Sequence, residues 1–220
     1  EKAFKARKPA LAKYLGNKLD KANQQLVSQW YEAHQRPEKA LRHLKNASNL
    51  DINRKIITHS IIRLARKNGL SARQFWLDMA SKFNFSQQQR NLISQSIALS
   101  SAHQNLDVAN ELLDDLPAEL KSDQVFLLLA RIHLRQQNWA GLAKTISQMP
   151  KDLHEENEWQ YWLARATEAL GDKARSELLF LALAKKSTYY GFLAADKLNQ
   201  PYIIVQESAN ELNDLDEATL

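Results

Sequence analysis

Residues 158–202 read EWQYWLARATEALGDKARSELLFLALAKKSTYYGFLAADKLNQPY. Trp159, Trp162, Leu163, Ala166 and Leu170 recur at i, i+3, i+4, i+7 and i+11, the spacing of one helix face. Gly171 ends that helix, because a C-terminal position favours a residue that takes positive φ. Asp172 then caps a second helix, in which the pattern predicts that Ala174, Leu178, Leu181 and Ala182 point inward. A third helix runs through Tyr189, Tyr190, Phe192 and Leu193, and Pro201 stops it. Short helices with such tight links cannot each bury an apolar face alone. The stretch therefore predicts an all-α fold of antiparallel helix pairs stacked on one another as a superhelix.

Upstream, Leu129-Ala130-Arg131 recurs as Leu163-Ala164-Arg165, an offset of 34 residues, with the turns at Asn138 and Gly171-Asp172 in register. That period matches a tetratricopeptide-like helix pair. Ala164 and Phe180 stand where that repeat wants a small residue and a Phe, but its helix-ending Pro is absent. The reading is thus a degenerate helical repeat over residues 1–200, with 201–220 as the start of a linker or tail.

Earlier segments follow the same grammar. Pro9 opens a short helix to Leu15. Residues 17–34 form a longer helix with Leu19, Leu26, Trp30 and Tyr31 as core candidates. Pro37 opens one with Ala40, Leu41 and Leu44 inside. Asp51 is expected to cap a helix through Ile56, Ile57, Ile61, Leu64 and Ala65, closed by Lys67, Asn68 and Gly69. Ser71 with Gln74, and Ser86 with Gln89, have the spacing of capping boxes; the helices they start carry Phe75, Trp76 and Met79, then Leu92, Ile93 and Ile97. Further helices are expected over 106–116, over 122–136, and from Asn138 to Pro150. Tyr202-Ile203-Ile204-Val205 has extended character.

Composition narrows the class. The 220 residues are 44% hydrophobic and 25% charged, with 5 Gly, 5 Pro and no Cys. That suits a globular chain with a sizeable core, without disulfides or thiolate metal sites. No apolar run approaches the roughly 20 residues of a membrane span. The chain begins with Glu1 rather than Met and reads as a processed protein or an excised fragment. Net charge is +5 but unevenly spread: residues 1–100 hold 19 Lys and Arg against 6 acids, and residues 101–220 hold 11 against 19. A basic first half attracts anionic polymers.

A family resemblance is carried by Glu158-Trp159-Gln160-Tyr161-Trp162-Leu163-Ala164-Arg165-Ala166, by Gly171, by Tyr189-Tyr190-Gly191-Phe192-Leu193-Ala194-Ala195, and by Pro201-Tyr202. Together these residues resemble the soluble lytic murein transglycosylases of the bacterial periplasm, at the end of their long non-catalytic superhelical domain. The resemblance implies a parent enzyme that cleaves the MurNAc–GlcNAc bond of peptidoglycan and leaves a 1,6-anhydro product in cell-wall turnover. It also implies that this segment positions a catalytic domain absent from these 220 residues, with peptidoglycan strands as partner.

Chemistry-bearing motifs are sparse. Gln206-Glu207-Ser208-Ala209-Asn210 is similar to the family's catalytic Glu-Ser string. The family's string is followed by Gly-Leu-Met-Gln and much more chain, whereas ten residues follow Asn210, so Glu207 is read as a chance match. Glu155, Glu156 and Glu158 sit at a helix start, where acids complement the dipole. The six His show no HExxH and no i, i+4 pair, and no Gly-rich phosphate loop or nucleophile elbow is present. No catalytic residue, metal or cofactor is therefore assigned. Trp30, Trp76 and Trp139 flank helix turns, where packing between helices outweighs stacking on a sugar or base. On charge density, Arg36, Arg42, Lys45, Arg63, Arg66 and Lys67 form the expected surface for an anionic polymer.

The expectation is a periplasmic, non-catalytic scaffold with peptidoglycan as partner, no nucleic acid and no membrane span. Two alternatives stand beside it: a tetratricopeptide-like adaptor, supported by the 34-residue offset, and a basic helical nucleic-acid binder, supported by the charge of the first half.

Overall fold

The computed structural model describes residues 8–204. Their regular structure is helical throughout: α1 Pro9–Gly16, α2 Lys21–Gln35, α3 Pro37–Leu44, α4 Asp51–Ala65, α5 Gly69–Ala80, α6 Gln87–His103, α7 Ala109–Asp114, a 3-10 turn Ala118–Leu120, α8 Asp123–Arg135, α9 Trp139–Ser147, α10 Lys151–His154, α11 Asn157–Ala169, α12 Lys173–Ala184 and α13 Tyr189–Leu198. No strand occurs among the described residues, so the class is all-α. Residues 201–204 have no regular structure, and Tyr202, Ile203 and Ile204 are exposed; Val205 and the Glu207 string lie outside the described residues. No described helix is long and apolar enough to cross a membrane.

Two compact units part between Val125 and Phe126. In the first, α4 is the central helix, packed against α2, α3, α5 and α6. Ile56, Ile57, Ile61, Leu64 and Ala65 are buried on it, with Trp30, Leu41, Met79, Ile93 and Ile97 around them. Thr58 and Ser60 share its buried side because each hydroxyl donates to the carbonyl four residues back, at 2.8 Å in both cases. The Ser86–Gln89 capping box at the start of α6 forms with both arms, Gln89 N to Ser86 Oγ at 3.2 Å and Ser86 N to Gln89 Oε1 at 2.9 Å.

Other caps differ from expectation. Asp20 caps α2, accepting from Asn23 N at 3.0 Å, and Leu19 is left outside the helix and exposed. Leu50 is the N-cap of α4, and Asp51 spends its carboxylate on Lys55 and Arg54 instead. Asn68 starts α5 rather than closing α4: its side chain accepts from Ser71 N at 3.0 Å, so Ser71 donates to a cap and does not form one.

In the second unit, the 34-residue repeat is visible as matching environments. Ala130 and Ala164 are both fully buried. Asn138 and Asp172 cap α9 and α12 in the same way, accepting from Gly141 N at 2.9 Å and from Arg175 N at 3.1 Å. Gly171 takes the positive φ, +92°, that closes the α11–α12 turn. Leu142, Ile146 and Met149 then correspond at the same offset to Ser176, Phe180 and Leu183, all buried.

That correspondence corrects the phase expected for α12. Ala174, Leu178 and Ala182 are exposed, and Leu181 is only half-buried. The helix is apolar on every side from Leu178 to Ala184, so its own pattern does not choose a face. Packing against Tyr161 and Ala164 of α11 and Ala194 and Ala195 of α13 chooses the Phe180–Leu183–Ala184 side. Leu170, placed by its spacing on the apolar face of α11, is exposed as well. Leu170 lies past the last helical turn of α11. α13 ends at Asn199, whose left-handed conformation closes it two residues before Pro201.

Candidate functional site: a basic groove on α4

Asp51, Arg54, Lys55, the buried Thr58, His59, Ile62 and Arg63 of α4, with Arg66 just past its end, line one wall of a groove. These positions follow the helical repeat closely enough to form one continuous stripe. Across from them lie Asn84, Ser86, Gln88, Gln89 and Leu92, from the α5–α6 loop and the first turns of α6, and Trp30 of α2 completes the lining. The groove between has a volume of about 820 Å³.

Its electrostatics are one-sided. Four cations face one acid, Asp51, and that carboxylate already contacts Lys55 at 2.7 Å and Arg54 at 3.4 Å. The hydrogen bond from Lys55, followed by the charges of Lys55 and Arg54, holds the Asp51 carboxyl below its usual pKa. Arg54 is fixed further: its Nη1 donates to the Asn49 carbonyl at 2.7 Å and to Asn49 Oδ1 at 2.9 Å. Asn49 Oδ1 also accepts from Asn84 N at 3.1 Å, so a single amide ties both walls together. Arg63 donates from Nε to the His34 carbonyl at 2.7 Å. Arg66, just past the last turn of α4, is exposed, and its guanidinium makes no hydrogen bond or ion pair with a described residue.

Aromatic rings pack behind the stripe. Trp30 and His59 lie 5.3 Å apart between centroids, and His59 stacks on His34 at 5.4 Å and 19°. Burial, and then the charge of Arg63, lower the His34 pKa. Trp30 is buried, so it is packing and not an open stacking platform. Trp76 and Trp139 are half-buried against the cores of their respective units. Among the described residues no group of three or more His, Asp or Glu is arranged to hold a metal.

The six cations singled out from charge density do not share one surface. Arg63 and Arg66 line the α4 groove. Arg36, Arg42 and Lys67 line a separate hollow of about 640 Å³ with Glu38 and Lys39, and Arg42 is held by Glu38 at 2.7 Å. Lys45 lines neither; it bridges to Asp78 of α5 at 3.0 Å. Charge density missed Arg54 and Lys55, which join Arg63 and Arg66 only through the helical period of α4. That period was the available signal.

No family model matches the chain. It is 21% identical over 208 residues to a soluble lytic murein transglycosylase of Salmonella typhimurium, covering 94% of this chain and 32% of the relative. A lytic transglycosylase structure from Pseudomonas aeruginosa, an inactive mutant, superposes with a TM-score of 0.79 at 25% identity, over 91% of this chain and 33% of that one. The 70-kDa soluble lytic transglycosylase of Escherichia coli superposes with a TM-score of 0.68 at 20% identity, over the same shares. The chain thus spans about a third of the length of the relatives it matches. The resemblance to the soluble lytic murein transglycosylases, carried in the sequence by residues 158–202, therefore extends over about nine-tenths of the chain.

Proposed function

We propose that this chain is a non-catalytic scaffold segment of a periplasmic lytic transglycosylase, one that lies along peptidoglycan strands and positions the catalytic part of the protein. In this reading residues 1–200 are one helical-repeat domain and 201–220 begin a linker. The parent enzyme would cleave MurNAc–GlcNAc bonds and leave 1,6-anhydro ends. One observation carries the proposal: nearly all of this chain aligns with about a third of such enzymes, both in sequence and in fold. A second supports it. The basic groove on α4 suits a polymer whose peptides bear carboxylates.

Co-sedimentation of the 220-residue chain with insoluble sacculi, at low and at moderate salt, tests the wall-facing role. Salt-sensitive pelleting is expected, because exposed charge pairs are screened over about 8–10 Å at such ionic strengths. Absence of pelleting at low salt would remove wall binding from the reading. In the same assay the chain is expected to release no anhydro-muropeptide; measurable release would overturn the non-catalytic assignment.

A further inference from the structure

The geometry points to the α4 groove as a binding site for the peptide-borne carboxylate of a muropeptide, with Arg66 as the guanidinium that receives it. This deepens the peptidoglycan reading and rests on it for the identity of the ligand; the groove itself is independent of that reading.

Three observations converge. Arg66 lines the groove, is exposed, and its guanidinium has no partner among the described residues, whereas the one acid of the groove is already engaged by Lys55 and Arg54. A planar guanidinium presents paired N–H donors that match a carboxylate, and a charge-assisted pair of that kind is among the stronger polar contacts. The wall opposite is neutral but hydrogen-bonding: Gln88 is exposed, and Gln89 spends its Oε1 on Ser86 N, which leaves its amide N–H groups as further donors in the lining. Ile62 and the exposed Leu92 give the same groove an apolar strip.

Cations along one wall, amide donors and acceptors on the other, and the apolar Ile62 and Leu92 among them fit a sugar–peptide with an acidic terminus. At about 820 Å³ the groove falls within the range of small-ligand sites. A single-stranded nucleic acid asks in addition for aromatic faces open for stacking on its bases. Here the aromatic rings Trp30 and His34 are buried.

The test titrates the whole chain with a soluble disaccharide-tetrapeptide, followed by calorimetry and by amide NMR shifts. A neutral GlcNAc trimer and a short single-stranded oligonucleotide serve as comparison ligands. The muropeptide is expected to bind, to shift amides of α4 and the start of α6, and to bind more tightly than the neutral trimer. Arg66→Ala is expected to weaken muropeptide binding about tenfold or more. Arg66→Lys should recover part of that loss, since the charge returns without the fork. Arg42→Ala, in the other hollow, should change nothing. Because Arg66 is exposed, its variants should keep the parent thermal midpoint.

Equal binding by Arg66→Ala, equal affinity for the neutral trimer, or tighter binding of the oligonucleotide at the same amides would each overturn the assignment. The two readings fail differently. Sacculi that pellet the chain while muropeptide binding ignores Arg66 would remove the groove and leave the scaffold. Arg66-dependent muropeptide binding without pelleting would keep the groove and remove strand binding.

Discussion

His34 Nδ1 of α2 lies 3.3 Å from His59 Nε2 of α4, with the two rings stacked 19° from parallel. A neutral imidazole has one donor and one acceptor nitrogen, so the contact is satisfied only when one ring donates and the other accepts. The Arg63 guanidinium stands beside them and donates to the His34 carbonyl.

This pair makes stability depend on pH near neutrality. Burial first, and the Arg63 charge second, hold the His34 pKa below its ordinary value of 6.5. The unfolded chain therefore takes up a proton at higher pH than the folded chain does. The stabilising contribution is complete above about pH 6.5 and is lost as pH falls from there toward the folded pKa. Urea midpoints measured from pH 8 down to pH 5 should fall on the acid side for the parent chain and fall less for His34→Gln. Parallel curves for the two proteins would show that another group sets the slope.

The start of α13 has no room for a side chain at Gly191. A Cβ there would run into the Lys186 carbonyl oxygen and sit 3.0 Å from the Leu183 carbonyl oxygen, and backbone cannot step aside as a side-chain tip does. Thr188 caps the same helix, its hydroxyl accepting from Gly191 N at 3.1 Å. Gly191→Ala should therefore cost at least the roughly 1–3 kcal/mol of core overpacking. Thr188→Ala should cost about 0.5–2 kcal/mol. Denaturant unfolding of both variants checks the order; a neutral Gly191→Ala would mean that the α12–α13 turn opens easily.

Much of this fold is legible in the sequence because its punctuation is local. Pro9 and Pro37 open helices, Gly171 and Asp172 close one and cap the next, and Ser86 with Gln89 satisfies two backbone donors within four residues. The inward face of α12 is a different kind of fact. Its run of Leu, Phe and Ala points every way, and only α11 and α13 select among the faces. The information was present at a distance, in the 34-residue offset that maps Leu142, Ile146 and Met149 onto Ser176, Phe180 and Leu183. The candidate site divides likewise. The sequence supplies an excess of cations, but which of them are engaged depends on partners such as Asp78, 33 residues from Lys45. The His34–His59 contact, 25 residues apart, left no local signal at all.

Among the described residues of the second unit Trp159 is the largest fully buried side chain, at 1% exposure, and its indole N–H has no hydrogen-bond partner among the described residues. The two facts act in opposite directions on substitution. Trp159→Ala opens a large cavity and should cost about 3–5 kcal/mol. Trp159→Phe also loses volume, but it removes a buried donor whose desolvation is uncompensated. Its cost should be well below half that of the alanine variant. Equal costs for the two would indicate that the indole N–H is satisfied in solution, for instance by a bound water.

Lys45 tests whether charge density or pairing decides what a cation does. Its Nζ lies 3.0 Å from Asp78 Oδ2, while Gln74 donates to Asp78 Oδ1 at 3.1 Å. The Lys45 hydrogen bond first, and the Gln74 one next, hold the Asp78 carboxyl below its usual pKa. Lys45→Ala removes the larger cause, so the Asp78 carboxyl should titrate at higher pH, as read by NMR of the side-chain carboxyl. The same variant should pellet with sacculi as the parent chain does, because Lys45 lines neither hollow and its charge is already engaged. Arg66→Ala carries the same formal change in net charge and should pellet less. If the two variants lose binding alike, net charge and not the α4 groove draws the chain to the wall.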